Sequence, residues 1–220
     1  MRVNYVTVSR QLAFDFFRTS MEENDDWRDE LYQDYVGPII VHDKTGNRRG
    51  LTGNYGLIPK RHLPSGQRLT TMNAHAETVG QLRTYKSARA RSQLCLVPMV
   101  RLFEPNCEQP THVRWSIGMA TDEPFAVAGL YREWENEDGK KTFFVHPTDH
   151  QRRRPSPHES FPSPGEEKRS LVIVSSADYD DWLGCKDRGR ARTHLQPYPA
   201  KLMAGEPAPK VAVALQKELF

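Results

Sequence analysis

Alternation of apolar and polar side chains along this chain predicts more strand than helix. From Val3 to Val8 the side chains alternate as in a strand with one buried face. Ser9 then supplies a hydroxyl N-cap for a helix through Phe17, which places Leu12, Phe16 and Phe17 on one face. The N-terminal segment is therefore expected to fold as a strand followed by an amphipathic helix.

Further apolar runs predict additional strands, and polar turn residues separate them. Pro38–His42 and Arg48–Leu57 are expected to form a hairpin around a turn at residues 43–47. A second turn is predicted at residues 136–139. The other predicted strands are Leu94–Phe103, Phe125–Trp134, Lys141–Val145 and Leu171–Val174.

The C-terminal part of the chain is expected to hold one short helix and a loose tail. Asp178 is predicted to cap a helix that carries Tyr179 and Trp182 into the core. The Ala/Pro/Lys-rich composition from residue 203 onward predicts loose structure. The apolar runs continue without a Gly/Ser linker, so we expect one domain over residues 1–209, with 210–220 as the tail.

Composition favours a cytoplasmic protein. The 220 residues carry a net charge of +3, which is compatible with an anionic partner. The cysteines, Cys95, Cys107 and Cys185, are odd in number and widely spaced, as is typical of free thiols in a reducing compartment. No apolar run approaches the roughly 18 residues of a membrane span. The histidines show no paired ligand spacing, so no metal is expected. No other cofactor is expected either.

Four segments in a fixed order carry the most specific signal. They are residues 55–59 (Tyr-Gly-Leu-Ile-Pro), 73–78 (Asn-Ala-His-Ala-Glu-Thr), 95–104 (from Cys-Leu-Val-Pro to Phe-Glu) and 124–131 (Pro-Phe-Ala-Val-Ala-Gly-Leu-Tyr). Together they resemble the SOS response-associated peptidase (SRAP) family. The resemblance implies an α+β fold, a single domain with a β-rich, barrel-like core and flanking helices.

The resemblance also implies a function. Family members process abasic sites in single-stranded DNA during the DNA damage response, through a cysteine directly after the initiator methionine. Here that position is Arg2. A guanidinium stays protonated and cannot act as a nucleophile, so the covalent protein–DNA step is expected to be impaired. Whether the chain is an enzyme therefore stays open, and the alternative is a non-catalytic single-stranded DNA-binding module or a decayed prophage-type copy. Peptidase activity, which needs the same nucleophile, ranks third.

Three further positions correspond to the family's catalytic residues. Asn73 is expected to orient the ring-opened sugar through its amide. Glu104 ends an apolar run, where burial favours general acid–base chemistry, although a solvated strand-end carboxylate is the simpler alternative. Pro162 fills the place of the family histidine, which leaves His158 as a substitute.

The expected partner is single-stranded or junction DNA that contains abasic sites. The protein is expected to bind this DNA as a monomer and to be associated with the nucleoid when it is bound. Tyr55 is expected to stack on a base, or else to be a plain core aromatic. Glu77 and Asn73 alternatively cap the following helix. The predicted DNA contacts are Asn4, Tyr55, Lys60, Arg61, His75 and Glu77.

Overall fold

The structure is a computed structural model that describes most of the chain. The described residues are 4–23, 25–58, 66, 71–75, 81–106, 113–136, 139–150, 169–194, 196 and 198–210. Within them, no helix is long and apolar enough to cross a membrane.

Strands dominate the fold, as the alternation in the sequence predicts. The strands are β1 (Asn4–Thr7), β2 (Glu30–Leu31), β3 (Val36–His42), β4 (Arg48–Tyr55), β5 (Asn73–His75), β6 (Leu94–Asn106), β7 (Val113–Met119), β8 (Phe125–Asn136), β9 (Gly139–His150), β10 (Arg169–Leu171), β11 (Ile173–Val174) and β12 (Met203–Pro207). The helices are α1 (Arg10–Phe17), α2 (Arg83–Ala90), α3 (Tyr179–Leu183) and α4 (Arg188–Thr193). Short 3-10 turns occupy Ser176–Asp178 and Ala200–Leu202.

Five strands close into a barrel. The hydrogen-bonded ring runs β3–β4–β9–β8–β6 and returns to β3 where Ile40 pairs with Leu96. All these pairings are antiparallel except that of β4 with β9, so the sheet is mixed. Strand β6 joins the ring to the rest of the sheet, because β1 and β7 also pair with it outside the ring.

Two apolar clusters lie on the two faces of this sheet. One cluster packs Phe17 of α1, Tyr85 of α2 and Trp182 of α3 against the outer face of the barrel. The other contains strand and loop residues and no helix residue, among them Tyr5 and Tyr55, so we identify it as the barrel interior. Alternation along the strands thus sends one set of side chains to the helices and the other set inward.

Several predictions from the sequence are confirmed. Ser9 Oγ accepts the backbone N–H of Leu12 at 3.2 Å and begins α1. Strands β3 and β4 form the predicted hairpin, with Asp43 Oδ1 accepting the backbone N–H groups of Thr45 and Asn47. Strands β8 and β9 pair as a second hairpin. The expected α+β fold with a barrel-like core is present.

Two local predictions are wrong. Asp178 makes no side-chain cap for α3, because a 3-10 turn already leads the chain into that helix. Tyr179 and Trp182 are nevertheless buried as expected. Residues from 203 are not a loose tail at first, since β12 pairs with β7 from Met203 to Pro207. Residues 211–220 lie outside the described residues.

Candidate functional site

Glu104 faces the barrel interior because of a bulge in β6. Strand β1 pairs Val6 with Arg101 but Thr7 with Met99, so Val100 is an extra residue in β6. Met99 and Leu102 both belong to the interior cluster, which requires this change of alternation. Glu104 follows Leu102 by two residues and therefore continues on the interior face.

Glu104 is half-buried near the end of β6. Burial raises the pKa of Glu104 from the ordinary value of 4.5 to about 7, because the charged form loses water that the surroundings do not replace. A carboxyl group with this pKa is present in both protonation states near neutral pH. It is therefore suited to donate and to accept a proton in one reaction cycle.

The start of β1 lies beside Glu104. Asn4 pairs in register with Phe103, the residue directly before Glu104. Arg2 lies outside the described residues, but two residues of extended chain span about 7 Å at most. Covalent connectivity thus keeps the α-carbon of residue 2 near Asn4. The prediction that the residue-2 position and Glu104 serve the same reaction is compatible with this register and stays a prediction.

Asn73 is held by two different elements. It opens β5, which runs parallel to β9 with Asn73 opposite His146. Tyr85 of α2 donates its hydroxyl to the backbone oxygen of Asn73 at 3.1 Å. The preceding residue, Met72, packs into the interior cluster that also contains Leu102. Asn73 thus directly follows a residue of the interior cluster, and its role toward a sugar stays a prediction.

Tyr55 cannot stack on a base in this conformation. Its side chain has no exposed surface, since it stacks on Phe144 with ring centroids 5.3 Å apart and meets the Tyr5 ring edge-on at 5.6 Å. Burial also raises the pKa of its hydroxyl. The predicted base contact is therefore wrong, and the alternative of a core aromatic residue is confirmed.

The other predicted DNA contacts are mostly outside the described part of the chain. His75 is described and is exposed at the end of β5, and its contact with DNA stays a prediction. The calls that fall outside the described residues are Arg2, Lys60, Arg61, Glu77 and His158. Within the described residues, no three His, Cys, Asp or Glu side chains are grouped as metal ligands would be.

A cluster around Glu30 was not foreseen. Glu30 Oε1 accepts hydrogen bonds from Asn4 Nδ2, from Arg114 Nη2 and, at 2.5 Å, from the Tyr32 hydroxyl. The Arg114 guanidinium also lies 3.4 Å from the ring centroid of Phe103. Nothing in the local sequence signals these contacts, because they join residues that are 26 and 84 positions apart.

Comparisons with known proteins agree with this architecture. The family model for the SOS response associated peptidase (SRAP) matches residues 4–212. The abasic site processing protein YoqW of Bacillus subtilis is 26% identical over 166 residues, which cover 73% of this chain and 69% of YoqW. The abasic site processing protein YobE of the same species is 28% identical over 101 residues, 46% of this chain and 45% of YobE. A solved protein structure from Bordetella bronchiseptica superposes with a TM-score of 0.84 and 25% identity, covering 94% of this chain and 99% of that one.

Proposed function

Because this chain belongs to the SOS response associated peptidase family, we propose that it recognises and processes abasic sites in single-stranded DNA during the DNA damage response. The observation that carries the proposal is the half-buried Glu104, which lies next to the partner of Asn4 in β6 and whose pKa is raised to about 7. Shifted pKa values of this kind are typical of catalytic carboxyl groups. The names of YoqW and YobE support the choice of abasic DNA as substrate.

The proposed chemistry is attack of an amine on the ring-opened abasic aldehyde. The amine nitrogen bonds to the aldehyde carbon and gives a carbinolamine, which loses water to form an imine. Glu104 in its protonated form donates the proton that leaves with the water. As a carboxylate it then accepts the proton released in β-elimination of the 3′ phosphate. Asn73 is proposed to orient the sugar hydroxyls through its side-chain amide.

With Arg2 in place, this chemistry is proposed to stop short of a stable crosslink. A cysteine at position 2 can close a thiazolidine ring with its amine and its thiol, whereas a guanidinium offers no nucleophile at neutral pH. In a chain that begins at Met1, the α-amine has an ordinary pKa near 8 and is partly unprotonated at neutral pH. The protein is therefore proposed to form an imine that reverts or proceeds to strand cleavage, without a stable crosslink.

One substitution tests the proposal. Arg2→Cys, prepared with Met1 removed, is expected to form a heat-stable adduct with abasic single-stranded DNA, visible on a denaturing gel and by intact mass. The chain with Arg2 is expected to give an adduct only after borohydride reduction. Glu104→Gln should slow both reactions, while Glu23→Gln, an exposed control, should not. A heat-stable adduct with Arg2 in place would contradict the account of Arg2.

A second function, binding of single-stranded DNA without chemistry, is favoured by Arg2 and by His75. Residues 73–77 resemble the family's Asn-Ala-Arg-Ala-Glu motif, and His75 stands at its arginine. A neutral imidazole contacts phosphate less strongly than a bidentate guanidinium. This alternative predicts weak, salt-dependent binding that His75→Arg tightens, and no borohydride adduct above an N-terminally blocked control. Fluorescence anisotropy at two salt concentrations, run beside the trapping assay, separates the two functions.

A further inference from the structure

We infer that Glu30 and Arg114 are positioning residues that hold the start of β1 beside Glu104, an inference that rests on the proposed function. They act on Asn4, the first described residue of β1, and on Phe103, its partner in β6.

The contacts form a closed loop around the end of the strand. Glu30 Oε1 binds the side-chain amide of Asn4 and the guanidinium of Arg114. The Cζ atom of the Arg114 guanidinium lies 3.4 Å from the centroid of the Phe103 ring, within the range of a cation–π contact. Phe103 pairs with Asn4 across the strands. The side chain of Asn4 is therefore held by Glu30. Its backbone is held by Phe103, against which Arg114 packs.

The segment that follows β12 supports these contacts. The backbone N–H of Ala208 donates to the carbonyl oxygen of Arg114 at 2.8 Å. Lys210 donates to the Tyr32 hydroxyl and lies 4.6 Å from the centre of that ring. Tyr32 in turn donates to Glu30. The carboxylate is thus held from three sides, and its orientation toward Asn4 is fixed.

Magnitudes indicate that the main effect is on geometry. The Arg114–Glu30 ion pair keeps 21% and 33% of its side-chain surfaces exposed, and ion pairs in contact with water add little to stability. Among the described residues, the side chain of Asn4 is anchored by Glu30, and loss of this anchor would loosen this part of β1. Residue 2 can lie no more than about 7 Å from Asn4. Release of Asn4 would therefore let the reacting terminus move away from Glu104.

The first test measures chemistry under borohydride trapping with saturating abasic DNA. Arg114→Met keeps apolar contact with Phe103 but removes the charge and the hydrogen bond. It is expected to lower the rate constant of adduct formation about tenfold, with the final amplitude and the DNA affinity unchanged. Glu30→Gln should act in the same direction, and Arg114→Lys should restore part of the rate. A role in stability alone would lower the amplitude and leave the rate constant unchanged.

Arg48→Met is the matched control. Arg48 belongs to β4, which pairs with β3 and β9, and it is 22% exposed, binds Asp180 at 2.7 Å and lies over the Tyr179 ring. Its substitution should leave the rate constant unchanged. An equal loss of rate in Arg48→Met and Arg114→Met would overturn the inference.

The second test does not depend on the reaction. Hydrogen exchange of the β1 amides should quicken about tenfold in Arg114→Met, while exchange in β3 stays the same. One possible outcome is faster β1 exchange in Arg114→Met together with no adduct from any protein, the parent included. This outcome would support the role of Arg114 in fixing β1 and would contradict the proposed function. An adduct that forms at the parent rate in Arg114→Met, or β1 exchange that does not change, would overturn the positioning role and leave the function intact.

Discussion

Replacement of Glu104 by Gln is expected to stabilise the folded protein in a pH-dependent way. Burial raises the pKa of Glu104 from 4.5 in an exposed setting to about 7 in the fold. The folded chain thus binds this proton more tightly than the unfolded chain does. Stability is accordingly lost as the pH rises from about 4.5 to about 7, and the loss is complete above that range.

The two pKa values set the size of the effect. The difference between 4.5 and about 7 corresponds to about 3 kcal/mol of unfolding free energy once the carboxyl group is ionised. Glutamine has nearly the same shape and no charge to desolvate. Glu104→Gln should therefore raise the unfolding free energy by about 3 kcal/mol at pH 8 and by less than about 1 kcal/mol at pH 5.

Urea unfolding at pH 5, 6, 7 and 8, followed by tryptophan fluorescence, measures this difference. Glu23→Gln serves as the control, because Glu23 is exposed and should give a flat difference. A difference between Glu104→Gln and the parent that does not change with pH would refute the argument. So would a destabilised Glu104→Gln at pH 8.

Three further substitutions test other parts of the fold by the same unfolding measurement. Asp180→Asn removes the carboxylate that accepts two hydrogen bonds from Arg48, at 2.7 and 2.8 Å, and the cost should be about 1 kcal/mol or less because Asp180 is 64% exposed. Arg48 lowers the pKa of Asp180, so this difference should be present at neutral pH and vanish as the pH falls through the pKa of Asp180. Gly129→Ala would press a methyl group onto the Cys95 sulfur and 3.0 Å from Val97 Cγ2, at a cost of about 1–3 kcal/mol, and adding Cys95→Ala should recover part of it. Tyr85→Phe removes the hydrogen bond to the Asn73 carbonyl and should cost about 1 kcal/mol, and in an Arg2→Cys background it should also slow crosslinking.

Local features of the fold could be predicted from the sequence because neighbouring residues make them. The Ser9 hydroxyl caps its own helix, and the carboxylate of Asp43 binds backbone groups two and four residues along the same turn. Asp178 shows the limit of this reasoning. An acidic residue before a helix suggests a cap, but the backbone there had already entered a 3-10 turn.

The orientation of Glu104 could not be predicted, although the residue itself could be singled out. Counting from Met99 by alternation places Glu104 on the outer face of the barrel. The bulge at Val100 reverses this, and Val100 is not a glycine or another residue that marks a bulge. Only the pairing with β1, about ninety residues away in sequence, defines the bulge.

The burial of Tyr55 also could not be predicted from the sequence. An aromatic residue at a strand end beside glycine fits both a base-stacking surface and a core position. Phe144, the ring on which Tyr55 stacks, lies on the parallel neighbour β9 and cannot be assigned from the sequence near Tyr55. The contacts of Glu30 are equally non-local, which is why the sequence identified the carboxyl group of the site but not the residues around it.

The bulge in β6 connects the fold to the proposed chemistry through one physical quantity, the solvation of a carboxylate. Turning Glu104 inward costs about 3 kcal/mol of stability at neutral pH and, for the same reason, keeps its pKa where it can both donate and accept a proton. Asn4 pairs with Phe103 beside this carboxyl group, and at most about 7 Å of extended chain separates Asn4 from residue 2. In the proposed chemistry, Arg2 removes the nucleophile and leaves Glu104 as the proton-transfer group, so a cysteine at that single position is expected to restore covalent capture.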